Sequence, residues 1–257
     1  MGRPAAGRTA SANKTVYTEK AMDREYHKWY SGRLGREMEI LVFGHAGAPV
    51  LVFPTSMGRF FEYEDRGMIA ALQPKIDAGH IQVFCVDSVD EESWYNRGAH
   101  PRWRVLRHVQ YEQYVLEEVL PFVRSKNGWD RVTATGASFG GYHAVNFSLR
   151  HPDRVARVVS MSGAFDIHQF LHGYWDEDCY FNNPPDYVRG MTDPWYLDRY
   201  RAMEIVLATG EHDICRGENE WFSGILRDKG IPNYLDVWGD GMIHDWPWWR
   251  RMAVKFL

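Results

Sequence analysis

From Arg36 to Gly44 the chain alternates, with Met38, Ile40 and Val42 on one face and Glu37 and Glu39 among the residues of the other. That period of two marks a half-buried strand, and it reads as an early, antiparallel one. Later runs are different. Val50 to Phe53, Ile81 to Val86, Val132 to Thr135, Val155 to Met161, Ile205 to Ala208 and Tyr234 to Trp238 are short, apolar or β-branched, without alternation. Such runs predict strands covered on both faces, as in a parallel sheet. Between them, His108 to Ser125 sets Val109, Leu116, Leu120 and Val123 along one helical stripe. Gly141 to Arg150, Glu218 to Lys229 and Asp245 to Phe256 are further predicted helices, the last with Pro247 in its first turn. Strand and helix in alternation predict a mostly parallel α/β sheet flanked by helices. Residues 164–200, with Pro184, Pro185, Pro194 and many aromatics, break the rhythm and are expected as a short insertion over the sheet's carboxyl edge.

Composition narrows the picture. With 257 residues, 45% hydrophobic and 25% charged, the chain has the make-up of a folded globular protein, expected here as one domain over 21–257 after a flexible segment over 1–20. A formal charge of -4 offers no field for gathering phosphates, so nucleic acid is not an expected partner. Met1 to Lys14 lacks the apolar run of a signal peptide, and no window approaches the roughly 20 apolar residues of a membrane span. A cytoplasmic location is the expectation. Cys85, Cys179 and Cys215 share no close spacing and fit neither a disulfide framework nor a zinc cluster, and no Asp, Glu or His spacing predicts a metal site.

The chemistry concentrates at Gly136-Ala137-Ser138-Phe139-Gly140. A Gly-x-Ser-x-Gly arises by chance in about one chain in ten of this composition, so its setting decides its meaning. Here it lies between a predicted strand and a predicted helix, the strand, tight turn, helix context of a nucleophile elbow. Its glycines make room for a turn that strains the serine backbone. A serine hydroxyl needs a base, and after an elbow the acid and then the histidine follow in chain order, each on a loop past a later strand. Asp213 follows the run Ile205 to Ala208, and His244 follows Tyr234 to Trp238 just ahead of the last helix. Ser138, Asp213 and His244 are therefore the candidate nucleophile, acid and base. His212 is a rival base that would have to share a loop with the acid; Glu211, and behind it Asp240 and Asp236, are rival acids. His143, five residues past Ser138, reads as a packed or hydrogen-bonded helix residue.

Oxyanion donors are expected from the Phe139 backbone N–H and from the loop after Val50 to Phe53, with Ser56 as first choice and Met57 beside it. Trp94 and Tyr95, Trp175, and Trp246 come from three separate stretches rich in aromatics. They are the candidate substrate-binding residues at an apolar rim.

Together these residues resemble the esterase branch of the α/β-hydrolases, which includes esterase D, S-formylglutathione hydrolases, feruloyl esterases and mycolyltransferases. The similarity runs from about Gly32 to the C-terminus. It is most specific at Gly136 to Gly141, Gly210 to Asp213 and His244-Asp245-Trp246, and Phe53-Pro54-Thr55-Ser56-Met57-Gly58 and Cys85-Val86-Asp87-Ser88 bring it closest to bacterial esterases. The resemblance implies an α/β-hydrolase fold with an eight-stranded sheet and a Ser-Asp-His triad with no cofactor. The acidic-Gly oxyanion loop of the transferases is replaced here by Pro54-Thr55-Ser56, which weakens an acyltransferase reading. The expected function is a serine esterase acting on a small or medium ester through an acyl-enzyme. An acyltransferase and a noncatalytic binding or scaffold protein are the alternatives, and a homo-oligomer stays open.

Overall fold

The computed structural model describes Gly2 and residues 22–257. The flexible segment expected over 1–20 lies, Gly2 apart, outside the described residues. The elements run β1 (Arg24–Ser31), β2 (Arg36–Phe43), β3 (Ala48–Phe53), α1 (Glu62–Asp65), α2 (Met68–Asp77), β4 (Ile81–Val86) and α3 (Pro101–Tyr114). A π-helical stretch, Val115–Val119, joins α3 to α4 (Leu120–Asn127), followed by β5 (Val132–Ala137), α5 (Phe139–Arg150) and β6 (Val155–Met161). Then come a 3-10 turn (His168–Phe170), α6 (Glu177–Phe181), α7 (Pro184–Gly190), α8 (Pro194–Ala202), β7 (Glu204–Gly210), α9 (Arg216–Asp228), β8 (Tyr234–Trp238) and α10 (Trp246–Phe256).

The eight strands form one sheet in the order β1-β2-β4-β3-β5-β6-β7-β8. Pairs β1–β2 and β2–β4 are antiparallel and the rest are parallel. The unbroken apolar runs have a direct cause. Leu51 and Phe53 of β3 point into the cluster with Phe84, Val115 and Phe147, while Val50 and Val52 point into the opposite one with Met68, Leu72 and Met252. β3 thus buries both faces, at about 1.5–3 kcal/mol for each large apolar side chain. Among the described residues no helix is long and apolar enough to cross a membrane.

Two elements depart from the sequence pattern. β1 escapes it because its partly buried face carries Glu25, His27, Trp29 and Ser31, a mostly polar set. Trp29 Nε1 and Ser31 Oγ donate to Glu118 at 2.9 and 2.8 Å, so this edge strand docks by hydrogen bonds as much as by apolar contact. The helix expected from His108 starts earlier, at Pro101, where the His100 side chain accepts from the Arg102 N–H and caps the turn. The insertion over 164–200 also divides. Phe165, Ile167 and Phe170 are buried at its start, whereas Tyr187, Val188 and Tyr200 join the core beside the sheet instead of covering its carboxyl edge, Tyr200 donating to the Leu149 carbonyl at 2.7 Å.

Register decides where the site forms. Phe53 pairs with Gly136, Ala137 with Met161, and Met161 with Ala208. The residues that follow these positions therefore emerge side by side along one carboxyl edge of the sheet.

Candidate active site

Ser138 stands between β5 and α5 with φ 55°, a left-handed conformation rare outside glycine. The glycines permit it. A Cβ on Gly136 would overlap the Gly140 backbone, and one on Gly140 would come within 2.5 Å of the carbonyl oxygens of Phe53 and Pro54. The second approach has a further effect: it brings the end of β3, and the loop that follows, against the start of the helix carrying Ser138. The Ser138 N–H still donates to the Met161 carbonyl at 2.9 Å, so the sheet anchors the turn.

From the other side, two loops are clamped together by Glu211 N–H to the Trp238 carbonyl at 2.8 Å and His212 N–H to the Met242 carbonyl at 3.0 Å. The clamp carries Asp213 and His244 toward Ser138. His244 Nε2 lies 2.9 Å from Ser138 Oγ, and His244 Nδ1 lies 2.9 Å from Asp213 Oδ1. The Asp213 side chain is fully buried, whereas His244, its side chain 17% exposed, and Ser138 are partly buried. Burial opposes ionisation of Asp213, but hydrogen bonds from His244, Ser162 and the Cys215 N–H outweigh it and hold its carboxyl below the usual range. A hydroxyl, an imidazole and an ionised carboxylate in this order can move a proton off the hydroxyl and stabilise the imidazolium that results.

The rivals fall away on geometry. His212 turns outward with its side chain 67% exposed. Glu211 accepts from the Gly241 N–H at 2.5 Å, Asp236 accepts from Trp238 Nε1 and Lys255 at 2.6 Å each, and Asp240 is exposed. Asp213, Cys215 and His244 present possible metal-ligand atoms within 4.8 Å of one another. Burial pushes the Cys215 thiol up to about 12, however, and Asp213 and His244 already face each other, so this trio is poorly suited to a cation.

The fold has counterparts among known proteins. Residues 49–212 match the family model described as alpha/beta hydrolase fold. The chain belongs to that family. Among solved structures it is similar to a ferulic acid esterase (17% identity, 92% of this chain and 96% of that one, TM-score 0.74). It is also similar to an S-formylglutathione hydrolase from Agrobacterium tumefaciens (16%, 91% and 92%, TM-score 0.69) and to MPT51 (FbpC1) from Mycobacterium tuberculosis (14%, 90% and 96%, TM-score 0.65). At such identities the likeness is one of fold. No curated protein sequence matches the chain.

Within this hydrolase fold the other candidate residues are distributed unevenly. Tyr95 lies beside the elbow, its ring 5.4 Å from that of Phe139 and its hydroxyl donating to Ser56 Oγ at 2.6 Å. Trp94 does not reach a rim: it is fully buried against His108, Tyr142 and Phe170, because the apolar layer under the loop takes its ring inward. Trp175 stacks on His168 at 4.4 Å and lines a cavity of about 660 Å³ on the insertion with Tyr174, Tyr180, Asp186 and Arg189; Ser138 is not among its lining residues. Trp246 packs on Tyr63 and Trp249 with Arg66 over its ring. Met57 must be withdrawn as an oxyanion donor, since its N–H already donates to Asp90 Oδ2 at 3.0 Å.

Two residues near the site escaped the sequence reading. Ser162, one residue past β6 and also at φ 55°, donates to Asp213 Oδ2 and accepts from Trp249 Nε1 at 2.9 Å; the Trp249 ring meets that of His244 edge-on at 4.8 Å. Its place one step beyond a strand end, level with Ser138, was the available signal. Asp90 had none, being one acid among several in a loop.

Proposed function

We propose that the chain is a serine carboxylester hydrolase acting on a small or medium ester. The observation that carries this reading is the continuous hydrogen-bonded chain from Ser138 Oγ through His244 to Asp213, at 2.9 Å for each step. Ser138 Oγ attacks the ester carbonyl while its proton passes to His244 Nε2. The tetrahedral oxyanion is met by the N–H groups of Phe139 and Ser56, and collapse expels the alcohol, which takes the proton from His244. Water, deprotonated by His244 in turn, attacks the acyl-enzyme and releases the acid. Asp213 keeps the proton of the resting imidazole on Nδ1 and balances the positive charge that develops.

Short p-nitrophenyl esters test the reading. Ser138→Ala is expected to fold as the parent does and to lose turnover by about 10⁴-fold or more, since nucleophile and base act as a unit. Parental activity in that variant would assign the chemistry elsewhere.

A further inference from the structure

We infer that Asp90 is a positioning residue that fixes the oxyanion loop against the nucleophile, leaving the Ser56 N–H as the loop's free donor; the inference rests on the serine-hydrolase reading above. Asp90 lies in the loop after β4 and is 1% exposed. Its Oδ1 accepts from His143 Nε2 at 2.9 Å, and His143, itself 2% exposed, sits on α5, the helix that begins at the elbow. Its Oδ2 accepts from the Met57 N–H. Its main-chain carbonyl accepts from the N–H groups of Ser93 at 3.2 Å and Tyr95 at 3.0 Å, and the Tyr95 hydroxyl returns to Ser56 Oγ. One buried residue thus joins the elbow helix, the loop after β3 and the aromatic loop after β4.

The loop's own N–H groups show what the arrangement accomplishes. Thr55 N–H donates to Glu62 Oε2 at 2.9 Å, and Met57 N–H donates to Asp90. Between them, the Ser56 N–H has no partner among the described residues. Two neighbouring peptide planes are therefore held by carboxylates while the donor between them is left for a ligand. Met57 is also at φ 56°, and a non-glycine residue stays in that region only when its surroundings over-determine it. The Asp90 carboxylate supplies that determination, and a buried carboxylate accepting an N–H makes one of the stronger hydrogen bonds available to a protein.

An oxyanion donor acts by being in place before the reaction, so a loop shifted by about 1 Å should depress turnover more than substrate binding. The test measures p-nitrophenyl butyrate turnover and inhibition by phenylboronic acid, whose adduct with a serine hydroxyl carries a negative oxygen where the oxyanion would sit. For Asp90→Ala the expectation is a fall in kcat of about 100-fold, KM within about threefold of the parent and a parallel loss of boronate affinity. Asp90→Asn keeps an acceptor for the Met57 N–H and is expected to recover most of this, losing only about tenfold in both readouts; it carries the test if Asp90→Ala does not fold. A folded variant with parental kcat and boronate affinity overturns the inference, as does a loss confined to KM and thermal stability. A parent inert toward both ester and boronate overturns the hydrolase reading and this inference with it, and is told apart because the parent itself fails.

Discussion

The two sides of Ser138 are built by different means. On the acid-base side, Asp213 and His244 stand on loops that leave adjacent strands β7 and β8, and two main-chain hydrogen bonds clamp those loops together, with the Glu211 side chain adding a third from the Gly241 N–H. On the oxyanion side, the Ser56 loop is held by side chains: Glu62, Asp90 and, through Asp90, His143. Beneath it lies a buried polar layer in which the His108 ring is 5.4 Å from His143 and its Nε2 is 3.3 Å from Asn146 Nδ2. A side held by the sheet itself should tolerate change around it and fail only when a reacting group is removed. A side held by the side chains of Glu62, Asp90 and His143 should be tunable by substitution, and the buried His108 beneath it makes it sensitive to acid.

The contrast can be broken first at its strong end. Asp213→Asn leaves the loops clamped but lets the His244 tautomer reverse, and kcat is expected to fall by about 10⁴-fold with the fold intact. A loss no greater than that of Asp90→Ala would mean that the two sides contribute alike. The next test concerns pH. Burial drives the His108 imidazole down to about 3, so the folded protein keeps it neutral where the unfolded chain takes up a proton below about 6.5. Stability from this residue is thus full above 6.5 and is lost as pH falls from there toward 3. Between pH 7 and pH 5 the expected loss is about 2 kcal/mol, read by urea unfolding, and His108→Phe should show that much less dependence on pH. Equal pH dependence in the two proteins would remove acid sensitivity from the oxyanion side. The smallest effect belongs to Ser162→Ala, which takes one donor from Asp213 but leaves the loop clamp; a fall in kcat of about tenfold with little change in KM is expected. A loss as deep as that of Asp213→Asn would show that the acid-base side also depends on supporting side chains.

The same contrast explains what could be read from the sequence. β4 and β6 fall where their apolar runs do, because strands buried on both faces must be largely apolar, whereas β8 is an edge strand none of whose residues is buried. Ser138, Asp213 and His244 were named from a motif and from chain order, and their side chains do meet. Both signals are local: a turn that only glycine permits, and polar residues just past strand ends. Asp90 and Met57 are 33 residues apart and interact through a main-chain N–H, which leaves no mark on residue type. β1 was illegible for a related reason, since hydrogen bonds to Glu118 stand in for the apolar alternation that identifies a strand. Trp94 misled because an aromatic residue carries the same letter whether it faces a pocket or the core.

The central claim is that the hydroxyl of Ser138 becomes covalently bound during turnover. Incubation with a fluorophosphonate, followed by peptide mass spectrometry, addresses it directly. One adduct is expected, on the peptide carrying Ser138, absent from Ser138→Ala and abolished when the parent is first unfolded. An active parent that carries no adduct at Ser138, or carries it on another residue, would contradict that claim.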